Sequence, residues 1–146
     1  MLLSTFFYLG YSPIAPGTVG TLGAILLYML ISRLDDALFY LIFTIIFIFL
    51  SFIVSKHAIE KFGKEDPGEI VIDEVCGYMV SMFLIPFSII NIALGFFIFR
   101  LFDIVKPYPA RKLEKLPGGY GVVMDDVAAG IYTNLLLQLI NYFKLF

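Results

Sequence analysis

Residues 100–126 read RLFDIVKPYPARKLEKLPGGYGVVMDD, a stretch that holds five of the ten basic residues, four acids, three prolines and three glycines between two apolar runs. Charges at that density beside lipid are costly unless paired, hydrated or used in chemistry. Arg100 and Asp103 share a helical face, which Lys106 continues up to Pro107. A guanidinium fork and a mobile ammonium on one face could grip a phosphate next to carboxylates. Asp125 and Asp126 are expected to open the following helix. One acid would cap it, so a second points to metal binding or water activation.

Two further stretches carry similar potential. Residues 66–74, DPGEIVIDE, begin with Asp66 before Pro67, the pattern of an N-cap with proline at the first helical position. Asp66 and Glu69 suit a first helical turn, whereas the adjacent Asp73 and Glu74 lie deeper and suit a hard divalent cation, which prefers oxygen ligands. Residues 10–21, GYSPIAPGTVGT, place Pro13 and Pro16 ahead of a helix that Gly17 or Thr18 could cap. Such a helix start can bind an anion through free N–H groups, and an ordinary capped helix accounts for it equally well. No GK[ST] follows, so it is not a nucleotide loop.

Several chemistries lack their residues. His57 is the only histidine and sits among Lys56, Glu60 and Lys61, as a surface residue would. Cys76 has Met82 where a cysteine phosphatase needs arginine six residues on, and it reads as a packing residue. No Asp-x-Asp pair is present for an aspartyl-phosphate intermediate. Many carboxylates, a few cations and no protein nucleophile leave metal-assisted or base-assisted attack of water on phosphorus. The depth of these groups in an apolar chain suggests a lipid substrate, and no nucleic-acid partner is expected.

The elements that must position them are helices in lipid. Of 146 residues 60% are hydrophobic, and the mean hydropathy is +0.94, more apolar surface than a soluble domain of this size can hide. Uncharged runs cover residues 1–32, 37–55, 75–99 and 127–143, against about 20 residues for one crossing. The fold class expected is all-α: an integral membrane bundle of about five short helices, with charged motifs converging at the cytoplasmic face and residues 1–146 forming one domain.

Of the 22 charged residues, 18 lie in two windows, residues 56–74 and 100–126, which hold eight of the ten basic residues. The positive-inside rule places both windows on the cytoplasmic side. Residues 75–99 must then leave and return, which a turn at Pro86 allows. The expected helices are residues 18–32, 37–56, 69–85, 88–103 and 125–143. Residues 2–9 are too short to span and should lie along the interface or plug the bundle. Tyr28, Tyr40 and Tyr142 are placed as an interfacial belt would be. No basic leader precedes the first apolar run, so the N-terminus is expected to be retained.

SPIAPGTVGT (residues 12–21), DPGEIVIDEVCG (66–77) and RLFDIVKPYPARKLEKLPGGYGVVMDDVAAG (100–130) together resemble, in order and separation, the motifs of the phosphatidylglycerophosphatase A family. That resemblance implies a magnesium-dependent phosphomonoesterase converting phosphatidylglycerophosphate to phosphatidylglycerol and phosphate at the cytoplasmic face of a bacterial membrane. It also places Asp66, Asp73, Glu74, Asp103, Lys106, Asp125 and Asp126 on the family's charged positions. Thr21 stands where many relatives carry serine, which keeps the hydroxyl.

In the resulting scheme Asp66, Asp73, Glu74, Asp103, Asp125 and Asp126 are the metal candidates, and Asp73, Glu74, Asp103 and Asp126 the catalytic set. Arg100, Lys106 and Arg111 neutralise the phosphate, with Gly17 and Thr18 offering backbone donors. Two rivals stand beside it. An ion or proton carrier would spread its charges through the membrane depth, and a scaffold binding anionic headgroups would tolerate loss of its carboxylates.

Overall fold

The structure, a computed structural model, describes residues 1–64 and 67–145. These form α1 (Pro16–Ser32), α2 (Ala37–Phe62), α3 (Ile72–Ser81), α4 (Ile89–Val105), the short α5 (Ala110–Leu113) and α6 (Gly119–Tyr142), with a 3-10 turn at Leu9–Tyr11. No strand occurs among the described residues, so the all-α expectation holds. By length and composition α2 and α6 can cross a membrane, with mean hydropathies of 2.8 and 1.2 over their most apolar windows.

The expected lengths change. α1 and α4 have 17 residues each and α3 only 10. α3 starts at Ile72, not Glu69, because Ile70 N–H closes a turn on the Pro67 carbonyl (3.1 Å), while Val71 and Ile72 donate to the Ser4 carbonyl at 2.9 and 3.1 Å. The N-terminal segment therefore neither spans nor lies free. It buries Ser4 and Thr5 against the start of α3, and its backbone serves as that helix's cap. At the other end, residues 82–88 form the expected break around Pro86, and the Ser88 hydroxyl caps α4 by accepting from Asn91 N–H (3.0 Å).

α3 is the central element, packed against α1, α2, α4 and α6, and eight of its ten residues are buried. It is thus a core helix, enclosed by its neighbours. α2 turns an apolar strip outward, with Ile42, Ile46, Phe49 and Ile53 between 49% and 63% exposed. Tyr28 and Tyr40 are not a belt. They are buried, meet edge to face at 6.2 Å, and Tyr40 donates to the Met79 carbonyl at 2.6 Å. Tyr142 alone of the three is exposed.

Amides satisfy the backbone freed by the break between α3 and α4. Asn134 donates to the Ser81 and Phe83 carbonyls (3.0 and 2.7 Å), and Asn91 donates to Pro86 O (2.8 Å) and pairs with Asn141. In an apolar surrounding such carbonyls need an internal partner. The network ties the α3–α4 connection to α6 and leaves the other end of the bundle to the charged residues.

Candidate active site

The site begins with the crossing of α3 and α6. Gly77 and Gly130 let these backbones touch: a Cβ on Gly77 would come 2.6 Å from the Asp126 carbonyl oxygen, and one on Gly130 would overlap the Gly77 carbonyl. Asp73 lies one turn before Gly77, and Asp126 one turn before Gly130. The close contact therefore brings the two acids together. Asp125 and Asp126 do not open α6 as expected; the helix starts at Gly119 and has no acid in its first turn. Their position inside the helix removes the dipole explanation for them.

One carboxylate oxygen from each of Asp73, Asp125 and Asp126 lies within 4.8 Å of the others. All three residues are buried, at 7%, 5% and 2% exposure. Asp73 also has the like charge of Glu74 beside it, and Asp126 those of Asp73, Asp103 and Glu74. Ionised carboxylates cannot donate to one another, so these approaches need a proton or a cation between them. Consistent with that, Asp73 Oδ1, Glu74 Oε2 and Asp126 Oδ2 are buried without a hydrogen-bond partner, an arrangement costly enough to require an explanation.

Two cations border the acids. Arg100 is ion-paired with Asp103 one helical turn on, both largely buried, and leaves its Nε without a partner. Lys106 Nζ donates to Asp125 Oδ2 at 2.7 Å and to Glu114 Oε1 at 3.2 Å. Burial works against the Lys106 charge, but the hydrogen bonds and charges of Asp125 and Glu114 outweigh it and hold its pKa above the ordinary lysine value. The ammonium stays charged at any working pH.

The first turn of α1 closes the site. A Cβ on Gly17 would lie 2.7 Å from Glu74 Oε1 and 3.1 Å from an Arg100 terminal nitrogen, so only glycine admits that approach. The cap differs from expectation. Ala15 occupies the N-cap in a left-handed conformation with no side-chain hydrogen bond, and Pro16 is the first helical residue. Val19 N–H is the first to reach a helical carbonyl, that of Ala15 (3.1 Å). The N–H groups of Gly17 and Thr18, in the first turn, have no helical carbonyl to bond.

Asp73, Glu74, Arg100, Asp103, Lys106, Asp125 and Asp126 thus come together with Gly17 and Thr18 from the chain's first third. Arg111 does not join the acids: it is exposed and donates to the Val105 carbonyl (3.4 Å). Asp66 lies outside the described residues. Glu114, which would pass for part of a solvated strip with Lys112 and Lys115, is instead the second partner of Lys106. The sequence did carry a signal for the crossing, a glycine four residues after each of Asp73 and Asp126.

The donor set fits a hard divalent cation. Five acids face two cations, so the ionised site would repel a phosphate unless further positive charge were supplied. Oxygens around one Mg²⁺ stand about 3–4 Å apart, close to the spread of the three aspartates, and the unpartnered oxygens are the atoms such an ion would satisfy.

Comparison with known proteins gives the family. The family model described as Phosphatidylglycerophosphatase A matches residues 2–141. A Haemophilus influenzae protein named Phosphatidylglycerophosphatase A is 36% identical over 99% of this chain and 90% of its own length. The Escherichia coli K12 protein of the same name is 34% identical over 97% and 83%. A Bacteroides thetaiotaomicron protein, 34% identical over 97% and 93%, carries the name "Putative phosphatidylinositol-3-phosphatase". No solved structure matches the chain. With a match that runs almost end to end and relatives above one-third identity, the chain belongs to the phosphatidylglycerophosphatase A family.

Proposed function

We propose that this protein is a lipid phosphatase that hydrolyses phosphatidylglycerophosphate to phosphatidylglycerol and inorganic phosphate, with Mg²⁺ held by Asp73, Asp125 and Asp126. The observation that carries the reading is the convergence of those three buried carboxylates beside Arg100 and Lys106, in a chain of this family. When bound, the cation supplies Lewis-acid polarisation of the phosphoryl oxygens.

The chain's own groups do the rest. The unpartnered Arg100 Nε and the open N–H groups of Gly17 and Thr18 donate to the phosphate oxygens and gain strength as charge builds there. Glu74 stands beside these donors with one oxygen unpartnered, and takes the proton of the attacking water. Water attacks phosphorus, the bond from phosphorus to the glycerol oxygen breaks, and that oxygen leaves with a proton. Asp103 holds Arg100 in place, and Lys106 balances the charge of Asp125. Burial between α3 and α6 lowers the local dielectric and so strengthens these charge interactions.

The protein is read as a multi-pass, membrane-embedded unit over residues 1–146, with α1, α2, α4 and α6 and the short α3 making up about five transmembrane elements. Supporting this are the outward apolar side chains, such as Leu26, Leu30, Ile46, Phe49 and Phe97 at 62% to 70% exposure. The concentration of basic residues in two windows supports a site on the cytoplasmic face, and the bacterial relatives named above support reading the membrane as a bacterial inner one.

The test is phosphate release by purified protein in detergent micelles, with Mg²⁺ or with chelator, from phosphatidylglycerophosphate, phosphatidylinositol 3-phosphate and phosphatidate. Mg²⁺-dependent release, fastest from phosphatidylglycerophosphate, is expected. Absence of release from that lipid with Mg²⁺ present would reject the reading, and preference for the inositol lipid would reassign the headgroup.

A further inference from the structure

Beside the acid cluster, the elbow from α4 into α5 forms an open cleft of about 430 Å³, walled by Lys106, Arg111, Lys112 and Lys115 with Val105, Pro107 and Tyr108. Four cations share it, and no acid among the described residues lines it. Lys106 is paired with Asp125 and Glu114, whereas Arg111, Lys112 and Lys115 have no ion-pair partner among the described residues, and like charges gathered in one concavity favour an anion between them. Lys106 belongs to both places: its stem lines the cleft while its ammonium is 2.7 Å from Asp125. Leading to the cleft along the outer face of α4 are Phe97, Leu101 and Ile104, 68%, 58% and 70% exposed, and Tyr108 at its mouth is 78% exposed. An apolar track thus ends at a cationic cleft that adjoins a site for phosphate chemistry.

We infer that this cleft is a second phosphate subsite, one that seats the phosphodiester of a lipid whose phosphomonoester occupies the acid cluster. The inference rests on the phosphatase reading above. Phosphatidylglycerophosphate carries a phosphate at each end of one glycerol: a monoester to be cut and a diester leading to the diacylglycerol. With the monoester beside Asp125, the diester falls on the far side of Lys106, among Arg111, Lys112 and Lys115, and the acyl chains follow the apolar face of α4 into lipid. Arg111 therefore acts on the phosphate that is retained rather than on the one released. Lipids with a monoester alone, such as phosphatidate, would leave the cleft unfilled, so the subsite selects for diester-tethered headgroups.

The experiment uses the Lys112→Ala/Lys115→Ala double variant and Arg111→Ala in detergent micelles. Inhibition of turnover is measured with two probes: phosphatidylglycerol, which has the diester and no monoester, and inorganic phosphate, which probes the acid cluster. The KM for phosphatidylglycerophosphate and the Ki for phosphatidylglycerol should each rise about tenfold, the effect of one charge-assisted hydrogen bond. The Ki for inorganic phosphate should move less than about twofold. An unchanged Ki for phosphatidylglycerol, or an equal rise in both constants, would overturn the subsite. Retention of phosphatidylglycerol by the intact protein, read by native mass spectrometry in parent and variants, tests the cleft without turnover. Retention lost in the variants supports the subsite even if the parent hydrolyses nothing, an outcome that would reject the phosphatase reading instead; equal retention in parent and variants rejects the subsite.

Discussion

Gly77 and Gly130 meet backbone to backbone, the carbonyl of the first occupying the space where a side chain on the second would begin. Because each lies one turn beyond an aspartate of the buried acidic cluster, this contact sets the separation of Asp73 and Asp126. The acids converge because two glycines allow it.

Gly130→Ala should push α6 away from α3. Overpacking of this kind costs about 1–3 kcal/mol, visible as a lower midpoint of thermal unfolding in detergent. The apparent Mg²⁺ requirement should rise with it. A variant with the parent's midpoint and Mg²⁺ dependence would show that the crossing does not set the site's geometry.

Asp126→Asn and Asp73→Asn keep the side-chain volume and remove a charge. Each should slow phosphate release by about 10³-fold or more. Mg²⁺ should also raise the parent's thermal stability, by about 2.7 kcal/mol at a hundredfold excess over its dissociation constant. That gain should be absent in both variants. Rates within a few-fold of the parent for both would remove the metal assignment.

Lys106→Met leaves the carboxylate of Asp125, 5% exposed, without its counter-charge. A loss of about 10²-fold in rate is expected. Glu114→Gln should cost less, under about fivefold, since the Glu114 side chain is 41% exposed and its pair is screened by solvent. Combining Lys106→Met with Asp125→Asn should be far from additive. Additive losses in that cycle would mean that the two residues act independently.

Gly10→Ala tests the N-terminal segment. Its Cβ would collide with the Glu69 carbonyl, lifting the segment that lets Ser4 accept from Val71 and Ile72. Leaving those N–H groups unsatisfied costs about 1–3 kcal/mol, and the start of α3, which carries Asp73, should loosen. Faster hydrogen exchange at residues 71–73, with a parallel drop in rate, is the expected result. Unaltered exchange there would show that the segment is not the cap.

Much of this protein was legible in one dimension. Apolar runs gave the helices and Pro86 the break in residues 75–99, because each is a property of a few neighbouring residues. Adjacent acids at residues 73–74 and 125–126, with Arg100, Asp103 and Lys106, marked the groups that cluster, since charge in an apolar chain is costly unless paired. Start and length of α3 were not legible: its cap is a carbonyl from Ser4, almost seventy residues away, and backbone caps leave no side-chain signature.

Residue types also do not state their partners. Tyr28 and Tyr40 fit an interfacial belt by position, yet they pack inward because a third ring, Tyr78, comes against Tyr28. Arg111 was grouped with Lys106 on one phosphate, yet beyond α4 its guanidinium donates to the Val105 carbonyl while Lys106 reaches Asp125. The sequence by itself determined an apolar helical chain with its carboxylates and cations in two windows. Only tertiary structure decided that Asp73, Asp125 and Asp126 share one pocket, because helical periodicity fixes which way a side chain leaves its own helix, whereas the distance between helices is fixed where their smallest residues meet.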